Sequence, residues 1–390
     1  MGRTSESNPS SPDAAEAGRA DVMVVGAGLA GLWLTRELSR SGLGVTLVDH
    51  KRDLTQGVHT TGIFVRRTLE DFPLPEDCLG SPVRDVSLYS PGRRRLDLSS
   101  PHDEFRVGLM PRLYATLLDE CRRDGVDVRL GTRFEGLTPG ADGRLEAQLR
   151  GDDRTTTHTA RFLVGADGAT SRVAAALGLS ENREWIVGVE EVLRGVPLEG
   201  PPCFHCVIDP AIAPGYLAWI VHDGHEVHLG VGGYAARFDP WPALEQFRQW
   251  AGSVVDLRRA ELIEKRGGRI PVGGVLPKLA CPLGLLVGDA AGAVSPLTAG
   301  GLDPCLRMTQ QAAGVIQRHL AGDAGALSHY DGRLFRAKFR SRLWMRWGLR
   351  TVRSRWLLEA ACGMLRVWPL RRVAEHVFFG RGSFPDAEAE

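Results

Sequence analysis

The sequence predicts an α/β chain: a Rossmann-like domain, a second domain built on an antiparallel sheet, and a C-terminal helical segment. Three observations carry this. Gly26, Gly28 and Gly31 form a G-x-G-x-x-G turn between a short apolar run and a helix-spaced apolar pattern. Two later apolar runs, at 162–164 and 285–287, each lead into an aspartate-bearing turn, Asp167-Gly168 and Gly288-Asp289. Between and beyond these lie short strand-and-turn patterns and then a basic tail: residues 333–381 carry thirteen Lys/Arg against two Glu, so the remaining chain is about −10 against a whole-chain charge of +1.

The run "VMVV" at 22–25 reads as a strand buried on both faces. In the turn that follows, the first glycine permits the tight bend, the second lets backbone approach a pyrophosphate, and the third lets helix pack on strand. Leu29, Leu32, Trp33 and Leu38 recur at helical spacing, and Gly42 and Gly44 end that helix. A second strand, "VTLVD", finishes on Asp49, placed to accept hydrogen bonds from a ribose diol. "MPRLYATLLDECRRDG" predicts a helix from Pro111 to a Gly125 cap. "LAWIVH" and "HEVHLGVGG" predict a hairpin turning on Asp223-Gly224. Asp303 followed by Pro304 predicts an N-cap with proline at the first helical position.

Composition sets outer bounds. At 390 residues, 43% hydrophobic and 24% charged, the chain suits a soluble two-domain globular enzyme. No run approaches the roughly 18 apolar residues that span a bilayer. The first 20 residues are small and polar and read as a disordered tail without a secretory signal. Seven scattered cysteines imply free thiols and a cytoplasmic setting.

The three turns in this order resemble the glutathione-reductase-type flavoprotein fold shared by aromatic hydroxylases, flavin halogenases and geranylgeranyl reductases. The resemblance implies FAD. It assigns Gly26, Gly28, Ala30, Gly31 and Asp49 to the ADP half, Asp167 and Gly168 to the pyrophosphate loop, and Gly288 and Asp289 to the ribitol. Gly300 and Gly301 would lie against the isoalloxazine, beside a helix N-terminus that favours its reduced anion by on the order of 1 kcal/mol. Arg112 stands where relatives often place a cofactor-contacting arginine, and a solvated helix charge reads equally well. The segment "APGYLAWIVHDG" is similar to the geranylgeranyl-reductase motif: Pro214, Gly215 and Trp219 match, Leu217 stands where tyrosine is usual, and Val221-His222 replaces Phe-Pro. In the "VHTTGI" loop, Thr60 and Thr61 stand near where many of these reductases place a cysteine beside the flavin.

This organisation gives an FAD domain over 21–79, 105–180 and 270–332, a substrate domain over 80–104 and 181–269, and the basic segment over 333–390. The implied activity is hydride transfer to a carbon–carbon double bond of an apolar, isoprenoid substrate, with electrons from NAD(P)H or ferredoxin. A monooxygenase acting on an apolar, polyketide-like natural product and a non-catalytic flavin-containing lipid carrier are the alternatives. His222, Thr60 and Trp219 are the catalytic candidates; a turn histidine and a core tryptophan are the structural readings of two of them. Cys203 and Cys206, and the trio His222, His225 and His228, lack the partners of a metal site. Four of the nine tryptophans fall among the basic residues of the tail. Leu343, Trp344, Trp347, Val352, Trp356 and Leu357 predict one amphipathic helix with aromatics on its apolar side, suited to a membrane surface, to capping the substrate domain or to a partner. No nucleic-acid module is present.

Overall fold

The computed structural model describes residues 19–380 apart from 141, 142, 153 and 199; the other residues of the expected tail and the C-terminal decapeptide lie outside them. Arg19 and Ala20, expected in the tail, instead open the first strand.

The larger nucleus is an eight-stranded sheet. Its main path runs Ala280–Cys281 (β17), Gly284–Leu286 (β18), Thr155–Gly165 (β11), Arg19–Val25 (β1), Val45–Val48 (β2) and Asp127–Arg129 (β8), while Arg133–Pro139 (β9) and Leu145–Arg150 (β10) extend off β11. The strands β18, β11, β1, β2 and β8 are mutually parallel, with Val24 in register with Val164 on one side and Leu47 on the other. All four residues of β2 are buried, as a strand covered on both faces demands. Leu29–Arg40 (α1) packs on Met110–Arg123 (α3) and on Leu302–Leu320 (α6). The short helix Arg172–Ala176 (α4) closes on β9 and β11.

A three-stranded antiparallel sheet of Ile63–Val65 (β3), Phe105–Gly108 (β7) and Leu79–Val83 (β4), followed at β3 by Arg66–Asp71 (α2), links this nucleus to the second one. There, seven strands run in the order Glu261–Pro271 (β16), Trp185–Arg194 (β12), Val227–Gly233 (β15), Ala218–His222 (β14), Cys203–Val207 (β13), Asp85–Tyr89 (β5) and Arg95–Ser99 (β6). The pairing is antiparallel except at β13 and β5, which run parallel. One face is covered by Pro240–Ala251 (α5), whose Leu244 and Phe247 are buried in a core of their own with Leu229, Val231 and Ile220.

Three local expectations are corrected. The hairpin between β14 and β15 turns on Gly224-His225, one residue later than expected, with Asp223 N–H bonded to Glu226 O. Gly224 has φ +104°, the positive value that the first central position of a II′ turn requires. Asp303 does not cap α6: Gly301 is the N-cap, and Asp303, in the first turn two residues later, accepts from Thr68 Oγ1 (2.8 Å) and from Arg307. The basic segment is not one helix but four: Gly332–Ala337 (α7), Arg340–Thr351 (α8), Arg355–Met364 (α9) and Leu370–Phe379 (α10). Its polarity is also inverted relative to expectation. Arg342 and Arg346 are buried, while Trp344, Trp347 and Trp356 are 69%, 63% and 75% exposed. The Arg346 side chain reaches inward because it lies over the rings of Tyr216 and Tyr234 and donates to Tyr234 Oη at 3.2 Å.

Phe247 is fully buried and stacks on Trp250, with ring centroids 5.5 Å apart. Phe247→Ala is therefore expected to destabilise the protein by about 3–5 kcal/mol, read from urea unfolding followed by far-UV circular dichroism.

Candidate active site

The two nuclei enclose a cavity of about 1150 Å³ that runs from the first glycine turn, past both aspartate turns, to the underside of the seven-stranded sheet. This exceeds the roughly 300–1,000 Å³ of a site for one drug-sized ligand. It is large enough for two molecules to share.

At one end, the β1–α1 turn is held by contacts that leave no room for side chains. Gly26 has φ +103°, and a Cβ there would lie 2.3 Å from Ala166 O; one on Gly31 would lie 1.8 Å from Gly26 O. Gly28 differs: its Cβ would meet nothing within 4 Å, because that space belongs to the cavity. Beside it, Asp49 is buried and accepts backbone N–H bonds from Ala27 (2.6 Å) and Lys51 (2.7 Å), which fix the carboxylate at the cavity wall. Ala30 also lines the cavity.

The other two turns face the same space. Asp167 accepts from Ser171 Oγ (2.5 Å) and from the backbone N–H groups of Arg172 and Val173, so its carboxylate organises the start of α4; Gly168 follows at positive φ. Burial lifts the Asp167 pKa against those donors. Asp289, enclosed in a short 3-10 turn over Gly288–Ala291, has its pKa pushed up to about 6 by desolvation. Gly300 and Gly301 line the cavity at the start of α6, whose N-terminus no side chain caps. Arg112 does not reach this space. It pairs with Asp77 at 2.5 Å on the surface, the solvated-charge alternative.

Under the second sheet a buried polar cluster forms that the sequence reading missed. Arg266, Glu190, Gly230 and Trp219 stand in one cross-strand row over β16, β12, β15 and β14. A Cβ on Gly230 would lie 2.2 Å from Trp219 Cζ2, so the bare backbone is what lets the indole cross β15. Trp219 Nε1 then donates to Glu190 Oε2 at 3.0 Å, and the Thr61 hydroxyl donates to the same oxygen. On the other oxygen, Oε1, His228 Nδ1 stands at 3.1 Å and the Arg266 guanidinium at 3.6 Å. Behind His228, Asp223 Oδ2 lies 3.5 Å from Nε2, an ion-pair distance.

Burial opposes the charge on Glu190, but His228, Thr61 and Arg266 outweigh it and hold the carboxyl below its ordinary range. Burial likewise opposes the His228 imidazolium, yet the two flanking carboxylates push its pKa up to about 9. Asp223, despite its own desolvation, is held down at about 2 by His228 and by the N–H groups of Glu226 and His225. The signal available in the sequence was a pair of glutamates in one otherwise apolar strand, "GVEEVL", and a histidine in another, "VHLGVGG".

Of the catalytic candidates, Trp219 and Thr60 line the cavity; the Thr60 carbonyl accepts from Arg266 at 3.1 Å. His222 is not among the lining residues, and burial depresses its pKa. Tyr216, one position before Leu217, lines the cavity and donates to Thr298 O at 2.6 Å. Cys203 contacts Ser87 Oγ at 3.3 Å on β13, whereas Cys206 faces the cavity. Among the described residues no group of three or more His, Cys, Asp or Glu is arranged to hold a metal.

Residues 19–215 match the family model described as FAD binding domain, half of the chain. The chain belongs to that family. It is accordingly an FAD-binding oxidoreductase. It is 32% identical over 319 residues to a menaquinone reductase of Mycolicibacterium smegmatis, covering 76% of each chain. It is 25% identical over 326 residues to a digeranylgeranylglycerophospholipid reductase of Methanocella arvoryzae, covering 80% of this chain and 81% of that one. Among solved structures it resembles a geranylgeranyl bacteriochlorophyll reductase-like protein of Thermoplasma acidophilum, with TM-score 0.81 and 18% identity over 93% of this chain and 97% of that one. At that identity the likeness shows the fold alone.

Two outcomes follow from the buried cluster. Gly230→Ala forces the indole off Glu190 and is expected to cost about 1–3 kcal/mol of stability in urea unfolding. Because the folded-state pKa of His228 is raised above its unfolded value, its contribution is complete below about pH 6.5 and disappears as pH rises through about 9. Wild-type stability is therefore expected to fall between pH 7 and 10 more steeply than that of His228→Gln, measured by urea midpoints across that range.

Proposed function

We propose that the chain is an FAD-dependent reductase that saturates a carbon–carbon double bond of an apolar, isoprenoid substrate. The observation that carries this reading is that one cavity joins three nucleotide-type turns to an apolar lobe. Met345, Leu349, Val352, Leu358, Leu365 and Phe378, all from the C-terminal helices, wall that lobe. The relatives' names, reductases of a quinone and of a prenyl lipid, point to the same substrate class.

The residues present fit FAD. The open space at Gly28 admits a pyrophosphate against backbone N–H groups. Asp49, oriented by two backbone donors, keeps lone pairs for a ribose diol. Gly26, Ala30 and Gly31 would hold the ADP half with them, Asp167 and Gly168 would shape the pyrophosphate loop, and Gly288 and Asp289 would meet the ribitol. Gly300 and Gly301 leave flat backbone for the ring at the uncapped start of α6, where the helix dipole favours negative charge by on the order of 1 kcal/mol. When bound and reduced, FAD supplies a hydride. The chain's own residues do the rest: the apolar wall excludes water and holds the prenyl chain, and Trp219 and Tyr216 shape the floor where the lobe meets the nucleotide end. NAD(P)H or a ferredoxin serves as external donor.

The same helices that wall the lobe turn Trp344, Trp347 and Trp356 outward among arginines, while no helix among the described residues is long and apolar enough to cross a membrane. A basic surface studded with exposed indoles suits contact with an anionic lipid surface, from which an apolar substrate can be drawn.

The purified protein is expected to be yellow and to release FAD on denaturation, and Asp49→Ala is expected to weaken FAD binding by about 1–3 kcal/mol, roughly five- to 150-fold, in a fluorescence titration. With dithionite as reductant and no oxygen, a geranylgeranyl lipid is expected to gain two mass units per double bond reduced. Product formed only with oxygen, and in step with its consumption, would instead establish a monooxygenase; flavin that never reoxidises with any prenyl compound would establish a carrier. Flotation with phosphatidylglycerol vesicles is expected to exceed that with phosphatidylcholine vesicles, and to be lost in the Trp344→Ala, Trp347→Ala, Trp356→Ala triple variant.

A further inference from the structure

The cluster of Glu190, His228 and Asp223 is unused by the binding roles above. Saturating a double bond needs a proton as well as a hydride, so the cavity must contain or admit an acid. Of the polar residues that line it, Asp49 and Asp289 belong to the nucleotide-type turns, while Thr60, Thr61, Trp219, Arg266 and Glu190 stand together beside the seven-stranded sheet. Among these five, Glu190 carries the carboxyl group. It is 3% exposed, lines the cavity, and touches on its far side an equally buried histidine that does not line it.

We propose that Glu190 is the acid that protonates the substrate carbon, and that His228, backed by Asp223, is the positioning residue that reloads it. This rests on the reductase reading. In the step, the His228 Nδ1–H bond breaks as its proton passes over 3.1 Å to Glu190 Oε1, and the O–H bond so formed breaks as a C–H bond forms with the electron pair of the double bond. The neighbouring carbon receives the hydride from the reduced cofactor, so substrate gains two electrons and two hydrogens. Glu190 is left as a carboxylate. His228, left neutral with its remaining proton on Nε2 facing Asp223, regains the Nδ1 proton from solvent once product leaves.

The surroundings favour this order. At rest the proton resides on His228, whose pKa lies near 9, and Glu190 accepts from Trp219 and Thr61 on Oε2. A carboxyl group held below its ordinary range is, once protonated, a stronger donor to a weakly basic carbon than an imidazolium is. Every neighbouring element contributes: Arg266 from β16, itself paired with Glu264 at 2.8 Å, Trp219 and His222 from β14, Thr61 from the loop before β3, and Asp223 from the hairpin turn. Asp223 lies three residues before Glu226, the partner of solvent-facing Arg194, and next to half-buried His222.

The test combines a titration with a reaction. In the apoprotein, the His228 ring is followed by imidazole NMR against pH. It is expected to stay protonated past pH 8 in wild type and to titrate at least one pH unit lower in Glu190→Gln; a wild-type His228 that titrates near 6.5 overturns the relay whatever the enzyme does. In single turnover of the prereduced enzyme with a prenyl lipid in D2O, wild type is expected to place one solvent deuterium in each reduced bond. Glu190→Gln, once shown to bind FAD and lipid as wild type does, is expected to be slower by about 10²–10⁴-fold, and Glu190→Asp to recover part of that. His228→Gln is expected to shift the basic limb of the pH–rate profile down, which loss of packing alone would not do. Turnover of Glu190→Gln within three-fold of wild type overturns the donor role while leaving the reductase reading standing. A wild type that saturates no prenyl bond removes both the reading and the donor role, even with the His228 titration as expected.

Discussion

The fold turns on one place where three backbones touch. Ala166 at the end of β11, Gly26 at the end of β1 and Gly31 in the first turn of α1 approach so closely that a single methyl group on either glycine would overlap a carbonyl oxygen. Such contact is available only to bare backbone, and it sets the positions of everything attached to those elements. The Asp167 turn continues from Ala166, and β18, which carries Gly288 and Asp289, pairs with β11 directly. Three turns far apart in sequence open into one space because their strands are neighbours.

The second sheet extends that space by different means. Its contribution is made of side chains reaching across strands, and again a glycine is the condition: the missing side chain at Gly230 opens the path by which Trp219 meets Glu190. Buried charge is costly unless satisfied, and here four donors from four elements converge on a single carboxylate. The cavity therefore passes from a nucleotide-type end defined by backbone, through a charged floor, to an apolar lobe that the last three helices close.

What could be read in the sequence follows this division. The turns at Gly26, Asp167 and Asp289 were legible because tight backbone geometry demands particular residues at short, fixed spacings. Glu190 was not, since its meaning depends on His228 and Arg266, brought beside it only by strand register. The hairpin was visible but placed one residue early, because Asp-Gly and Gly-His both suit a two-residue turn and the register of β14 against β15 decides between them. For the C-terminal segment, helical spacing was apparent, but the direction of its faces was not. Tyr216 and Tyr234 draw Arg346 inward, and a pair of rings from two loops distant in sequence leaves no local trace.

The four C-terminal helices also impose an order on assembly. Every residue of the nucleotide-type end is synthesised before them, so a nascent chain can complete that end while the apolar lobe still lacks one wall. During this interval the lobe's greasy lining lacks the wall that the arginine-rich, tryptophan-bearing segment supplies. Closure of the compartment can thus follow formation of the two sheets.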